Sequence, residues 1–457
     1  MCGITGFLAR PQQSSEALDQ SLQRMIAPIV HRGPDDSGTW GDAAAGVGLG
    51  FRRLAILDLS ELGHQPMRSA SGRFTMVFNG EIYNYRALRD ELEKSGARFR
   101  GHSDSEVILA GFERWGVAAS VVRFVGMFAI AVWDAQDRTL SLMRDQLGIK
   151  PLFIYAKDGV VSFGSELKSL RAGPAFDTTI DLEGLSGYLR YLYVPAPRTI
   201  YKYAMKLRPG HLLVIRDPAL PLPASSAFWS AEDAARRGAA DPFRGSDAEA
   251  VDELDRLLAD AVRLQMQSDV PLGALLSGGI DSSTTVALMQ EASSTPVQTF
   301  TIGFDAGEYN EAHHAAAVAR HIGTTHTDLM LTGQDALDVV PRLPEMFDEP
   351  FADASQIPTF LVCQLARRTV TVALAGDGGD EVFAGYHRYL QGEKIVRWMS
   401  AVPRPARQLA ASGISSVSLE TWDRTVGDGA RLLRLPLRRA GDKMYKVAKL
   451  LGAGSPA

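Results

Sequence analysis

The chain of 457 residues has only two cysteines, Cys2 and Cys363. That is too few for a secreted disulfide framework, and it suits a reducing cytoplasm. Positive charge is not in excess: 48 basic residues stand against 53 acidic ones, for a net charge of −5. Neither the basic footprint of a nucleic-acid binder nor a polybasic membrane anchor is present. No uncharged run is long enough to cross a bilayer, and no basic stretch leads into an apolar one at the start. The nine histidines lack metal-finger spacing, and the one close pair, His313-His314, reads as a solvated helix face. Internal repeats and low-complexity tracts are absent. What remains, 46% hydrophobic and 22% charged, is ordinary globular composition in a length that suits two or three domains.

Residues 1 to about 210 alternate strand-like runs with turn signals. Phe74–Phe78, Gly126–Trp133 and Leu140–Met143 are rich in β-branched and aromatic residues and read as strands. Helical stretches fall near 15–29, 85–94 and 104–115, which together predict a layered sheet domain. The stretch 211–246 is expected to be a linker, because Pro218, Pro221 and Pro223 lead into small and charged residues. A helix then starts at a capping box, Ser246-Asp-Ala-Glu249. From 270 the pattern turns to β-α-β-α: strands at 272–276, 298–302 and 370–374, and helices at 282–291 and 311–322. That alternation predicts a parallel sheet with sites at the strand C-termini. The tail 425–457 is basic and Leu-rich, with a frayed end.

Cys2 can carry chemistry if Met1 is removed, since one residue then holds a thiol and a free α-amine. Their reference pKa values, about 8.5 and about 7.7–8, lie close together. The amine can therefore serve the thiol as its general base. In the second half, Ser277-Gly278-Gly279-Ile280-Asp281-Ser282 follows an apolar strand and opens a helix. Glycines let backbone N–H groups converge, serines add donors, and the helix end adds positive potential, which together make a phosphate cradle. Asp281 would repel phosphate unless it holds Mg²⁺ against it. Ala375-Gly376-Asp377-Gly378-Gly379-Asp380-Glu381 ends a second strand in the same style. Asp281 and Asp380 are thus candidates to share one Mg²⁺–pyrophosphate.

Taken together, these motifs resemble the glutamine-dependent asparagine synthetase B family over almost the whole chain. The elements on the N-terminal side are Met1-Cys2-Gly3-Ile4, His31-Arg-Gly-Pro-Asp-Asp36, Arg53-Leu-Ala-Ile-Leu57, Asn79-Gly80-Glu81 and Ser103-Asp104-Ser-Glu106. The resemblance implies a fold of mixed α/β and α+β class. An N-terminal-nucleophile αββα sandwich over 1–210 would serve as a class II glutaminase. After the 211–246 linker, a doubly wound parallel-sheet nucleotide-binding domain would occupy 247–457.

By the same resemblance, Cys2 attacks the glutamine amide, and Asn79 with the Gly80 N–H forms the oxyanion hole. Arg53 takes the α-carboxylate, while Glu81 and Asp104 take the α-ammonium. Asn79-Gly80 alone also fits a hairpin turn. ATP would meet Leu275, Ser277, Gly278, Gly279, Asp281, Ser282, Ile302, Ala375 and Gly376, with Asp281 and Asp380 on Mg²⁺. ATP would adenylate a carboxylate, aspartate in the family's main activity, and ammonia arriving through an internal channel would displace AMP. Another carboxylate acceptor, or a glutaminase-only fragment, are the alternatives. The stretch Asp348–Gln356 either lines the acceptor pocket or is a helix-capping loop. Family members are often homodimers through the glutaminase half, although no sign of oligomerisation is legible here.

Two departures stand out. Position 377 is Asp where well-known members carry Glu at a group that acts in forming or attacking the acyl-adenylate. The family also continues past position 457 into a segment with a catalytic lysine, so the chain is expected to be C-terminally truncated. Lys443, Lys446 and Lys449 lie in an amphipathic helix and are not assigned that role.

Overall fold

A computed structural model describes residues 1–10, 14–305, 310–427 and 440–453. The expected frayed end, 454–457, and part of the basic tail lie outside these residues. Contacts divide the chain into one unit over Met1–Gly376 and a second over Asp377–Ala457.

The first unit begins with two six-stranded sheets whose strand pairs are antiparallel. In the first sheet the order is 204–206, 153–157, 160–164, 3–9, 47–53 and 36–42. In the second it is 226–227, 211–215, 139–144, 126–134, 74–82 and 67–68. Side chains alternate across each strand, so the inner strands serve two cores. Ile4 and Leu8 face the space between the sheets, with Phe51, Val77, Ala131, Trp133 and Phe163. Phe7 and Ala9 face outward onto Leu18, Leu22 and Met25, the last three belonging to helix Ser15–Ile26. On the far side of the second sheet, Phe74, Phe78 and Phe128 pack against Leu88 and Phe112 of helices Tyr85–Lys94 and Asp104–Trp115. The result is the four-layer αββα sandwich.

The same alternation sets up a site. Asn79 and Glu81 share the parity of Val77, and Cys2 that of Ile4, so all three are directed to the space between the sheets.

The rest of this unit is a parallel sheet in the order 325–331, 298–304, 272–275 and 372–374. Helices Asp247–Gln265, Ile280–Ala292 and Ala312–Ile322 contribute Val262, Leu288, Met289, Ala315 and Ala319 to one face. Helix Gln356–Ala366 contributes Leu365 and Ala366 to the other, beside Phe300 and Val370. Helices on both faces make the sheet doubly wound. The strand order reverses between 272–275 and 372–374, and the loops after these two strands are the two glycine-rich motifs. A switch point of this kind is where open α/β sheets hold ligands.

Three expectations differ from the structure. His211–Ile215 and Ser226–Ala227, placed in the 211–246 linker, are strands of the second sheet. The alternating run Leu212–Ile215 buries a residue on each face, and the prolines that suggested a boundary follow it. Ala231–Ala240 is a helix capped by Ser230, whose Oγ accepts from the Asp233 N–H at 3.2 Å. Asn79-Gly80 lies within strand Phe74–Ile82, not at a hairpin turn.

The αββα layers and the parallel sheet are joined through the Asp348–Gln356 stretch. Asp348 accepts from the Lys168 backbone N–H at 3.1 Å and pairs with its ammonium at 3.3 Å. Glu349 pairs with Lys206 and accepts from the Ile200 N–H. Asp353 accepts from the Ser355 N–H just before helix Gln356–Ala366.

In the second unit, helix Ala440–Gly452 buries Ala448 and Leu451 and presents the expected amphipathic pattern. It packs with helix Arg404–Ser415, and Arg407 donates to the Ala453 carbonyl at 3.2 Å.

Phe163 has no exposed surface between the sheets. Phe163→Ala should therefore cost about 3–5 kcal/mol of unfolding free energy in urea denaturation. Leu189→Ala, at a side chain 72% exposed, should stay within about 0.5 kcal/mol.

Candidate active site

Cys2 enters the central strand Gly3–Ala9 and is held on both sides. Its Sγ lies 3.4 Å from the Leu54 N–H and 3.5 Å from the Leu54 carbonyl. Its own carbonyl accepts from Arg32 Nε at 3.0 Å. Burial pushes the thiol pKa up, opposed by the Leu54 N–H and by the charges of the α-amine, Lys150 and Arg53. The α-amine, carried here by Met1, is lowered to about 5, chiefly by burial. A neutral amine is the form that can accept a proton from the thiol.

Asn79 is 1% exposed, and both side-chain polar atoms lack a hydrogen-bond partner. Leaving a buried amide unsatisfied costs about 1–3 kcal/mol, so this is a group arranged for something that arrives. Next to it, Gln65 Oε1 takes the Phe78 N–H at 2.6 Å and Asp104 Oδ2 takes the Ile82 N–H at 3.0 Å. N–H groups two residues apart on a strand point the same way, so the Gly80 N–H projects between these two acceptors. A Cβ at position 80 would press on the neighbouring strand, 2.7 Å from Phe128 Cα. Only glycine lets the strands meet here.

The charges follow one pattern. Arg53 is 7% exposed and its guanidinium donates to the backbone carbonyls of Ser60, at 2.9 Å, and Asp58. Glu81 and Asp104 are 8% and 5% exposed. Burial, then the Asp104 charge, raises the Glu81 pKa to about 7. Burial raises Asp104 to about 6. Among the described residues, neither carboxylate has a cation within 4 Å and Arg53 has no carboxylate. Unpaired charges of both signs held out of water suit a small zwitterion, which would pair with each.

Sequence reasoning missed the groups that hold this arrangement. Fully buried Asp58 positions the Arg53 turn by accepting from the His102 N–H at 3.0 Å. Asp145, also fully buried, takes the N–H groups of Phe128, Leu147, Ile149 and Lys150. Lys150 is 4% exposed. A lysine between Ile149 and Pro151-Leu152-Phe153 was the legible sign of a buried cation. Arg32 links Cys2 to Glu166 at 2.8 Å. Glu166 lines a cavity of about 840 Å³ whose wall also includes His31, Lys168, Phe347, Gln356 and Cys363.

At the switch point, Ser277 and Ser282 share a hydrogen bond at 2.9 Å, and Gly278 has φ +83°. A Cβ at 278 would lie 2.8 Å from the Ala315 nitrogen. Helix Ile280–Ala292 has no side-chain cap, leaving its first N–H groups and dipole for a phosphate. A Cβ at Gly376 would lie 2.7 Å from the Ser282 nitrogen, so the two glycine-rich loops meet backbone to backbone. Leu275 and Ile302 pack on the same apolar cluster beneath. This arrangement fits the triphosphate end of a nucleotide. Asp281 belongs to the first unit, Asp377 and Asp380 to the second. Among the described residues no three His, Cys, Asp or Glu side chains form a metal cluster.

Comparison with known proteins agrees with this geometry. A family model described as a glutamine amidotransferase domain matches residues 1–229, and one described as asparagine synthase matches 253–452. A putative asparagine synthetase (glutamine-hydrolyzing) of Mycobacterium tuberculosis is 38% identical over 424 residues, 89% of this chain and 64% of that protein. Asparagine synthetase (glutamine-hydrolyzing) 1 of Bacillus subtilis is 37% identical over 391 residues, covering 85% and 59%. A putative asparagine synthetase (glutamine-hydrolyzing) 2 of Methanocaldococcus jannaschii is 35% identical over 414 residues, covering 86% and 77%. An N-terminal amidotransferase half thus precedes a synthase half. The chain belongs to the glutamine-hydrolysing asparagine synthetase family, and it spans 64% of the length of the mycobacterial relative. No helix among the described residues is long and apolar enough to cross a membrane.

Gly376→Ala should lower the unfolding free energy by about 1–3 kcal/mol through overpacking against backbone. Gly238→Ala, where a Cβ meets nothing within 4 Å, should be neutral or stabilising by up to about 1 kcal/mol. Thermal melts of both variants compare the two.

Proposed function

We propose that the chain uses glutamine as the nitrogen donor in an ATP-dependent synthesis of an amide, with aspartate as acceptor and asparagine as product. The observation that carries the first half is the set of buried, unpaired charges around Cys2 and the unsatisfied Asn79 amide. With Met1 removed, the Cys2 amine takes the thiol proton and the thiolate attacks the glutamine amide carbon. Asn79 Nδ2 and the Gly80 N–H stabilise the oxyanion. Collapse, with the Cys2 ammonium returning its proton to the leaving nitrogen, expels ammonia and leaves a thioester, which water hydrolyses to glutamate and the free thiol. Arg53 holds the α-carboxylate, and Glu81 and Asp104 hold the α-ammonium.

In the second half, Ser277, Gly278, Gly279 and Ser282 cradle the pyrophosphate of ATP. Leu275, Ile302, Ala375 and Gly376 flank the nucleoside. Mg²⁺, held by Asp281 and Asp380, would neutralise phosphate charge. The acceptor carboxylate attacks the α-phosphorus, pyrophosphate leaves, and ammonia then displaces AMP. The cavity beside Glu166 suits the passage of ammonia, since Arg32 connects its wall to Cys2. Asp377 has one methylene less reach than the glutamate expected there, and this favours a second reading in which another carboxylate is the acceptor. Dimerisation through the glutaminase half and a cytoplasmic location for the two thiols belong to the same proposal.

Cys2→Ala should abolish glutamine hydrolysis and leave any synthesis driven by added ammonia. Glutamate release by that variant would overturn the assignment. Incubation with ATP, Mg²⁺ and aspartate, followed by chromatography for AMP and asparagine, tests the acceptor. AMP formed only with other carboxylates would select the second reading.

The carboxylates also predict a pH dependence. Glu81 and Asp104 are raised to about 7 and about 6, so they are ionised only above those values. KM for glutamine should therefore climb as pH falls through 7 to 5, and level off above about pH 8.

A further inference from the structure

We propose that Lys150 is a positioning residue of the glutaminase site, a buried cation held against the first residue of the chain whose charge acts on Glu81 and on the α-amine. The inference rests on the glutaminase reading above and goes beyond it, to a residue that the family's motifs did not bring forward.

Lys150 is built in rather than incidental. Its backbone N–H donates to Asp145 Oδ2 at 2.9 Å and its carbonyl accepts from Arg144 Nε at 2.8 Å. Arg144 also ties the turn through the carbonyls of Gly148 and Leu207. The side chain is 4% exposed, yet among the described residues no carboxylate lies within ion-pair distance of Nζ. Among the described residues its Nζ meets Met1 Sδ, at 3.2 Å. That thioether leaves when Cys2 becomes the N-terminus. The ammonium is then left with no neutral cover, in the space beside the new α-amine. Burying an unpaired ammonium is costly, and a structural role alone would be met better by a methionine or leucine.

Burial lowers the Lys150 pKa and Arg32, from the segment before Gly33, adds to this, while Glu81 from strand Phe74–Ile82, Cys2, and Asp145 from its own turn oppose it and favour the cation. A cation favours the ionised carboxylate and disfavours the protonated amine. Lys150 acts this way on both, lowering Glu81 and the α-amine, with Arg32 and Arg367 reinforcing it at the amine. Without Lys150 both groups would bind their protons at higher pH. Burial would still hold the amine low, so the larger consequence falls on Glu81, which would face the substrate ammonium as a neutral acid.

The test is the pH profile of glutamine hydrolysis by the full-length, Met1-processed chain. Wild-type hydrolysis and its loss in Cys2→Ala establish the parent reading separately. Lys150→Met and Lys150→Gln should each lower kcat/KM at pH 7 by about tenfold or more. The rising limbs of both kcat and kcat/KM should move to higher pH, so that activity returns toward wild type near pH 9. Lys150→Arg, which keeps the charge, should retain the wild-type limb. Loss by the same factor at every pH, or a profile superposable on wild type in a folded variant, overturns the proposal. If neither neutral variant folds, Lys150→Arg decides alone: a limb displaced by a full unit despite the retained charge overturns it.

Discussion

The N-terminal half keeps charges of both signs dry and unpaired, the condition that a site for a zwitterion would demand. Arg53, Glu81, Asp104 and Lys150 are each at most 8% exposed. If any two paired directly, the site would neutralise itself. Separation is enforced by backbone. The carbonyls of Ser60 and Asp58 hold Arg53, the Ile82 N–H holds Asp104, and Asp145 pins the turn that carries Lys150. The backbone partners of Arg53 and Asp104 satisfy hydrogen bonds without cancelling charge. The free energy stored in the empty arrangement is available to favour a ligand that completes it.

The same groups reach into the parallel-sheet half by two routes. Asp269 Oδ2 accepts from the Asp58 N–H at 2.8 Å, and Asp269 lies three residues before strand Leu272–Leu275. The turn that holds Arg53 is thus fastened to the strand that ends in the phosphate cradle. On the other side, Arg32 touches both Cys2 and Glu166, Glu166 pairs with Lys168, and Lys168 pairs with Asp348. Asp348 precedes the helix that covers the other sheet face. Burial of these side chains makes the pairs less screened than surface ones. Local displacement at one end of either route is therefore opposed at the other.

Much of this was legible because the sequence is locally consistent. The strands at 74–82, 126–134 and 139–144 and the helices at 85–94 and 104–115 announce themselves by periodicity and composition. The glycine-rich loops declared a ligand because glycine and carboxylates after a strand have few other uses. What was not legible is pairing across distance. Asp145, Asp58 and Asp269 look like any loop aspartates, and their importance comes from which N–H groups the fold brings to them. Strand Thr325–Leu331 hid because it sits at a sheet edge, where Thr325, Asp328 and Met330 can stay exposed and no hydrophobic run is required. Strand His211–Ile215 hid because its longer sheet partner, Thr139–Arg144, is distant in sequence and its other, Ser226–Ala227, is only two residues long.

Gly3–Ala9 is an interior strand of its sheet, buried along its entire length, with Val47–Arg53 on one side and Val160–Gly164 on the other. Its first residue is one step from the residue that must become the N-terminus. An aminopeptidase needs an extended, mobile end to grip, and this end is immobilised as soon as both neighbours dock. The second neighbour is made only after some 160 residues have left the ribosome. Between those two moments lies the period in which Met1 is easiest to cut. On the proposed glutaminase reading, this topology would favour trimming of Met1 before the sheet closes around Cys2.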